Sequence, residues 1–238
     1  MTRLRRSPAS ARQGDIRTPI PPTVGVRHFV TDRRRFGLSI DELVARAAAA
    51  VRADVDVIQV RERDLPDRDL VVLVRRIVDA AAGTATRVVV NDRVDVAIAA
   101  GAAGVHLRGD SAPASRVRAM ATFAAASADS AKAAAPKAPG RFLIGRSVHS
   151  LAEVDAALVD GGSDYLLFGT VFPSAGKPDG HPVAGLDALR QACARSSVPV
   201  LAIGGMTEAR VAEVRAAGAA GFAAVGLFMR LTALPQVV

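Results

Sequence analysis

Eight short, β-rich apolar segments alternate with helical segments along this chain of 238 residues. Each segment is apolar on both faces, as happens when helices cover a parallel sheet. Eight such units predict a single (β/α)8 TIM barrel with parallel strands. A doubly wound open sheet is the alternative, although Val30-Thr31-Asp32-Arg33 lacks the glycine-rich fingerprint of that fold. The strands are expected at 24–31, 55–60, 87–90, 104–107, 142–144, 165–168, 198–203 and 222–225.

Two segments of the chain differ in composition from the predicted strands and helices. Residues 1–22 are rich in arginine and proline, and we expect a flexible basic extension there. The barrel is expected over 23–238, with helix over about 115–125 and a flexible Ala/Pro-rich insertion near 126–140. The insertion is not expected to carry chemistry.

The net charge of +8 does not predict a nucleic-acid partner. Residues 1–22 hold half of the excess, and the remaining basic residues lack interleaved aromatic side chains for stacking on bases. No apolar segment approaches the roughly 20 residues of a membrane-spanning helix, and no apolar signal segment follows the first arginines. We therefore expect a cytoplasmic protein with a small phosphorylated ligand and no membrane partner, and a homo-oligomer stays open.

Polar residues follow two neighbouring strands within the stretch 141–177. Ser147 and His149 follow the fifth strand, and Ser174 and Lys177 follow the sixth. Loops at the carboxyl ends of parallel strands gather at one rim, so these side chains are expected to share it. His149 carries an imidazole, a side chain that suits proton transfer, and a polar residue at a helix start is an equal alternative.

Glycines follow the last two strands and predict a phosphate site. Gly204 and Gly205 follow the seventh strand, and Val225 and Gly226 follow the eighth. Glycine lets backbone amides approach an anion closely, and barrel enzymes often bind phosphate at this position. A single glycine would indicate only a tight turn, but two sites on adjacent strands favour phosphate.

The end of the second strand carries polar groups on one face. Gln59, Arg61 and Arg63 alternate along the chain, so they are expected to point into the barrel mouth toward an anion or a polar ring. Asn91 and Asp92 close the third strand. They suit a ring, a hydroxyl group or Mg²⁺, and an Asx helix cap explains them equally well.

Several ordered motifs over about residues 24–230 resemble the thiamine phosphate synthase/TenI family, whose fold is a (β/α) barrel. The resemblance implies one of two activities on that fold. The motifs are VTD at 30–32, QVRE at 59–62, NDRVD at 91–95, GVHL at 104–107, GRSVHS at 145–150, DY at 164–165 with FP at 172–173, and AIGGMT at 202–207.

The first activity that the resemblance implies is the synthase, which joins a pyrimidine diphosphate to a thiazole phosphate. In the family it uses two aspartates on Mg²⁺ and a lysine that helps to hold the diphosphate. Here Asp92 matches the first aspartate, but Ser111 stands at the second and Asp110 lies one position early. Arg63 replaces the lysine, and Arg108-Gly109 replaces the usual Gly-Gln.

The second implied activity is the tautomerase, which aromatises a thiazole carboxylate phosphate without a metal. Its catalytic histidine lies in a stretch similar to 145–150, so we favour this activity, with His149 as the proton donor and Ser147 beside it. Arg61 would hold the carboxylate. The amides of Gly205, Val225 and Gly226 would hold the phosphate.

This reading predicts a cofactor-free isomerase. The remaining binding residues would line the mouth. The Mg²⁺-dependent synthase, with Asp92 and Asp110 near the ion, and a non-catalytic binder of thiazole or thiamine phosphates are the alternatives. The further binding residues predicted are Gln59, Arg63, Asn91, Ser174, Lys177 and Gly204.

Overall fold

The chain forms a closed barrel of eight parallel strands, which confirms the predicted (β/α)8 fold. The computed structural model describes residues 25–131, 141–174, 177, 178 and 180–230. Strand β1 pairs with both β2 and β8, which closes the sheet and excludes the open alternative. The strands are β1 (Val26–Val30), β2 (Val57–Val60), β3 (Arg87–Asn91), β4 (Gly104–Leu107), β5 (Leu143–Val148), β6 (Tyr165–Phe168), β7 (Val200–Ile203) and β8 (Gly221–Ala224).

A helix follows each strand and packs on the outside of the barrel. Within the described residues, no helix has the length and apolar character needed to cross a membrane. The helices are α1 (Ile40–Arg52), α2 (Asp67–Ala80), α3 (Val94–Ala100), α4 (Ala114–Ala131), α5 (Leu151–Asp160), α6 (Gly185–Arg195), α7 (Glu208–Ala216) and α8 (Gly226–Met229).

Serine side chains fix the starts of two of these helices. Ser39 accepts from the amide of Glu42, and the Glu42 carboxylate accepts from the Ser39 amide, which completes a capping box at α1. Ser150 accepts from the amide of Glu153 at the start of α5. These contacts satisfy amides that the first helical turn leaves free, so α1 and α5 each begin at a defined residue.

The strands are apolar on both faces because each face packs against a different layer. Outward side chains such as Phe29, Ile58 and Leu166 are fully buried against the helices. Inward side chains such as Val89 and Leu201 fill the centre of the barrel together with Tyr165. Near the carboxyl ends of the strands, the side chains on this inner face are polar instead of apolar.

Two predicted boundaries differ from the structure. Strand β5 continues to Val148, so Ser147 belongs to the strand and not to the loop after it. Helix α4 continues to Ala131, because its alanine-rich sequence contains no helix breaker before the prolines at 136 and 139. The predicted extension (1–22) and the rest of the predicted insertion (132–140) lie outside the described residues.

Candidate active site

A chain of hydrogen bonds crosses the barrel interior from β1 to β3. The Nε2 of His28 lies 3.1 Å from the Oε1 of Gln59, and the Nε2 of Gln59 donates to the Oδ1 of Asn91 at 3.0 Å. Burial lowers the pKa of His28 to about 3, so its ring is neutral at pH 7. If Nε2–H donates to Gln59, the buried Nδ1 is an acceptor, and it has no hydrogen-bond partner among the described residues.

A second group of buried polar side chains joins β4, β5 and β6. The Nδ1 of His106 lies 3.1 Å from the Tyr165 hydroxyl, and its Nε2 lies 2.9 Å from the Oγ of Ser147. Burial, and after it the neighbouring His28 and Arg146, lower the pKa of His106 well below its ordinary value. The His28 and His106 ring centroids are 6.0 Å apart. Two neutral imidazoles therefore lie next to each other in the barrel interior.

Gly145 makes room for this second group. A Cβ at this position would lie 2.1 Å from the Cζ of Tyr165 and 2.5 Å from the Nδ1 of His106. No real Cβ contact is that short, so any larger residue would force the two rings apart. The sequence therefore needs glycine at this position in β5 to bring His106 and Tyr165 together.

The end of β2 contributes positive charge at the mouth. Arg61 donates its amide to the Oγ1 of Thr31, and its guanidinium lies 3.8 Å from the carboxylate of Asp32. The pKa of Arg63 is lowered by burial and then by the like charges of Arg61 and Arg108. A pocket of about 260 Å³ opens beside them, and its lining residues are Asp32, Arg34, Arg61, Glu62, Arg63 and Asp64.

Asp92 and Asp110 are the carboxylates at which a Mg²⁺ ion would be expected, and their surroundings do not fit one. Asp92 accepts a hydrogen bond from the hydroxyl of Ser111, and its other oxygen lies 3.0 Å from the Nε of Arg108. The same Nε lies 3.3 Å from the Oδ1 of Asp110. Within the described residues, no three His, Cys, Asp or Glu side chains are grouped to hold a metal.

The glycine pair after β7 packs tightly on the loop after β6. Gly204 has a φ of 104° and Gly205 a φ of 61°, and a Cβ on Gly205 would lie 2.4 Å from the carbonyl oxygen of Pro173. The amides of Gly205 and Val225 form no turn or loop hydrogen bond to the backbone of the described residues. Free amides next to a glycine turn can donate hydrogen bonds to an anion, as the sequence predicts.

His149 and Lys177 lie at the rim and not in the polar interior. His149 is exposed, and its Nδ1–H donates to the carbonyl oxygen of Gly169 at 2.5 Å. Ser147, which was expected to act beside it, contacts His106 instead. Lys177 is exposed, and its amide donates to the carbonyl oxygen of Ser174 at 3.0 Å.

Sequence reasoning missed four residues of this site. The motifs and strand-end patterns assign no role to His28, His106, Tyr165 or Arg108. The alternation of side chains along β1 and β4 could have placed the two histidines on the inner face with Val30 and Gly104. Their partners come from other strands, so the sequence alone could not supply them.

Comparisons with known proteins identify the family to which this chain belongs. A family model described as thiamine monophosphate synthase matches residues 27–136 and 125–228. The chain belongs to this family. A thiamine-phosphate synthase of Methanoculleus marisnigri is 41% identical over 76% of this chain and 77% of its own length. One from a Roseiflexus species is 35% identical over 87% of this chain and 79% of its own length.

A solved structure of the same family has a similar fold. The thiamine phosphate pyrophosphorylase from Pyrococcus furiosus aligns with a TM-score of 0.68 and 28% identity, covering 86% of this chain and 87% of its own. These relatives contradict our preferred activity: at 35–41% identity the named proteins are synthases, which favours the alternative. The prediction of a thiazole tautomerase, which depended on the histidine motif at 145–150, is therefore wrong.

Proposed function

We propose that this protein is a thiamine phosphate synthase, a transferase that joins hydroxymethylpyrimidine diphosphate to thiazole phosphate and releases diphosphate. One observation carries the proposal. The Methanoculleus marisnigri thiamine-phosphate synthase is 41% identical over about three quarters of both chains. Polar side chains in the barrel interior and arginines at its mouth are consistent with two phosphorylated heterocyclic substrates.

The pyrimidine half would bind along the ends of β2 and β3. Gln59 and Asn91 offer amide donors and acceptors, which match the alternating nitrogen and amino groups of a pyrimidine ring. Arg61 and Arg63 follow on the same strand end and would bind the diphosphate, since guanidinium groups pair with phosphate oxygens in a bidentate manner.

The thiazole half would bind on the opposite side of the mouth. Its phosphate would accept from the amides of Gly205, Val225 and Gly226, none of which donates a turn or loop hydrogen bond to the backbone of the described residues. Ser174 and Lys177 lie on the loop after β6, against which Gly205 packs. Lys177 would add a positive charge on that side.

The reaction needs no net proton transfer. The lone pair of the thiazole nitrogen forms a bond to the pyrimidine methylene carbon, and the bond from that carbon to the diphosphate oxygen breaks. The diphosphate leaves with the electron pair, and the product ring keeps a positive charge. His28 and His106 suit this chemistry because burial keeps them uncharged, so they do not repel positive charge that develops at the methylene carbon.

His149 has no part in this proposal. Its predicted role as a proton donor depended on the tautomerase, and the synthase reaction does not require one. Ser147 contacts His106, and we expect this polar pair to lie between the positions of the two substrates.

The experiment is to mix purified protein with both phosphorylated halves and to measure thiamine phosphate, with Mg²⁺ and without it. We expect product only when both halves are present. Arg61→Gln is expected to lower kcat/KM at least about tenfold, because it removes a charged phosphate partner. Arg52→Gln at the end of α1, on the opposite side of the barrel, is the matched control. Binding of both halves without product would refute the proposal.

A further inference from the structure

Arg108 occupies the position between two carboxylates where a divalent cation would lie. Its Nε is 3.0 Å from the Oδ2 of Asp92 and 3.3 Å from the Oδ1 of Asp110. The remaining oxygen of Asp92 accepts from the hydroxyl of Ser111, and that hydroxyl accepts from the amide of Arg108 at 2.9 Å. Both oxygens of Asp92 are therefore already partnered.

This arrangement disagrees with the requirements of Mg²⁺. The ion needs oxygen ligands in nearly octahedral geometry at about 2.0–2.1 Å and usually binds through one or two carboxylates together with substrate phosphates. Here a hydroxyl group stands where the family pattern has the second aspartate, and a permanent positive charge contacts both nearby carboxylates. A cation would have to displace the Arg108 guanidinium from both carboxylates, and the displaced positive charge would remain near the cation.

The loop that carries Arg108 is fixed by a second arginine. Arg146 on β5 donates to the carbonyl oxygens of Ser111 at 3.0 Å, Ala112 at 3.1 Å and Gly109 at 3.3 Å. Three bonds from one guanidinium hold the loop against the barrel. The hydrogen bonds from Arg146 therefore fix the backbone of the loop that carries Arg108.

The outer end of the Arg108 guanidinium remains available. Its Nε faces the two carboxylates, whereas its Nη1 and Nη2 form no hydrogen bond within the described part of the chain, and 44% of the side chain is exposed. Arg63 is close enough for its pKa to be lowered by the charge of Arg108. Two guanidinium groups thus face the same region of the mouth.

We propose that Arg108 takes over the position of the metal ion and binds the diphosphate of the pyrimidine substrate directly, together with Arg63. The inference rests on the proposed synthase function. As the carbon–oxygen bond breaks, the diphosphate departs with the electron pair, and the N–H groups of the guanidinium stabilise the added negative charge. Arginine remains protonated throughout, so no proton is transferred.

The test separates binding from turnover. Inorganic diphosphate is titrated calorimetrically into the protein in buffer containing EDTA. We expect binding by the parent protein, at least about tenfold weaker binding by Arg108→Gln, and unchanged binding by the matched control Arg52→Gln. Arg108→Lys keeps the charge but loses the planar fork, and we expect intermediate affinity. Diphosphate binding that needs Mg²⁺, or equal affinity in Arg108→Gln, would overturn the proposal.

A reverse substitution provides a second readout. The double variant Arg108→Gly with Ser111→Asp removes the guanidinium and introduces the second aspartate of the family pattern. We expect its diphosphate binding to require Mg²⁺ and to be lost in EDTA, whereas the parent binds in both. If the parent forms no thiamine phosphate under any condition, the proposed function fails. The EDTA titrations would still decide whether Arg108 is the diphosphate partner.

Discussion

The Oγ of Ser147 on β5 lies 2.9 Å from the Nε2 of His106 on β4. The histidine that meets this serine therefore comes from the interior of the barrel, while His149 bonds to the carbonyl oxygen of Gly169 at the rim. The two histidines differ in burial as well, since His106 is buried and His149 is exposed. They should differ just as clearly in their importance for activity.

Replacing His106 by phenylalanine keeps a ring but removes both ring nitrogens. The hydroxyl groups of Ser147 and Tyr165 lose their partner, so we expect kcat/KM for thiamine phosphate formation to fall at least about tenfold. His149→Phe is the matched substitution at the rim, and we expect less than about a threefold change. Steady-state kinetics with both halves measures the difference, and a larger effect at position 149 would contradict this assignment.

Gly145→Ala tests the packing of the inner rings. The new methyl carbon would lie 2.1 Å from the Cζ of Tyr165, so the ring must move. We expect the free energy of unfolding to fall by about 1–3 kcal/mol, with loss of activity. The control is Gly109→Ala, whose Cβ would meet no atom closer than 3.6 Å. Urea denaturation compares the two, and equal stabilities would show that the interior adapts freely.

The neutral His28 makes stability depend on pH. Burial lowers its pKa to about 3, whereas the unfolded chain titrates near 6.5, so between these values only the unfolded chain takes up the proton. The stabilisation is complete above about pH 6.5 and is lost toward pH 3, by about 1.4 kcal/mol per pH unit.

Stability curves of His28→Gln test this pH dependence. Glutamine keeps a donor for Gln59 but does not titrate, so we expect a shallower decline between pH 6 and pH 4 than in the parent protein. An identical decline in both proteins would mean that other groups account for the acid sensitivity.

Gly205→Ala tests the phosphate position. Its backbone has a φ of 61°, and a Cβ would lie 2.4 Å from the carbonyl oxygen of Pro173. The turn must therefore shift, and we expect KM for thiazole phosphate to rise at least about fivefold while KM for the pyrimidine substrate changes little. Gly83→Ala, at a φ of 77° with open space around it, controls for backbone strain alone. Equal effects on both KM values would place the phosphate elsewhere.

The sequence predicted the barrel because its signal is local. Apolar runs and helix caps such as Ser39 mark the individual strands and helices. Eight strand–helix units in a row then predict a closed barrel. The alternation after β2 likewise identified Gln59 and Arg61 as residues of the mouth.

The contacts across the barrel were not predictable in the same way. Alternation places His28 with Val30 and His106 with Gly104 on one face of each strand, but it does not identify the side chains from other strands that meet them. The bond from His106 to Tyr165 depends on the stagger of β4 against β6 and on the space left by Gly145. The pairing of Arg108 with Asp92 similarly joins loops from different strands.

The most direct measurement is the stoichiometry of the reaction catalysed by the purified protein. Hydroxymethylpyrimidine diphosphate and thiazole phosphate are supplied together, and thiamine phosphate and free diphosphate are quantified in the same samples over time. We predict that the two products appear in equal amounts and that neither appears when one half is omitted. Diphosphate release without thiamine phosphate, or no product of either kind, would contradict the account.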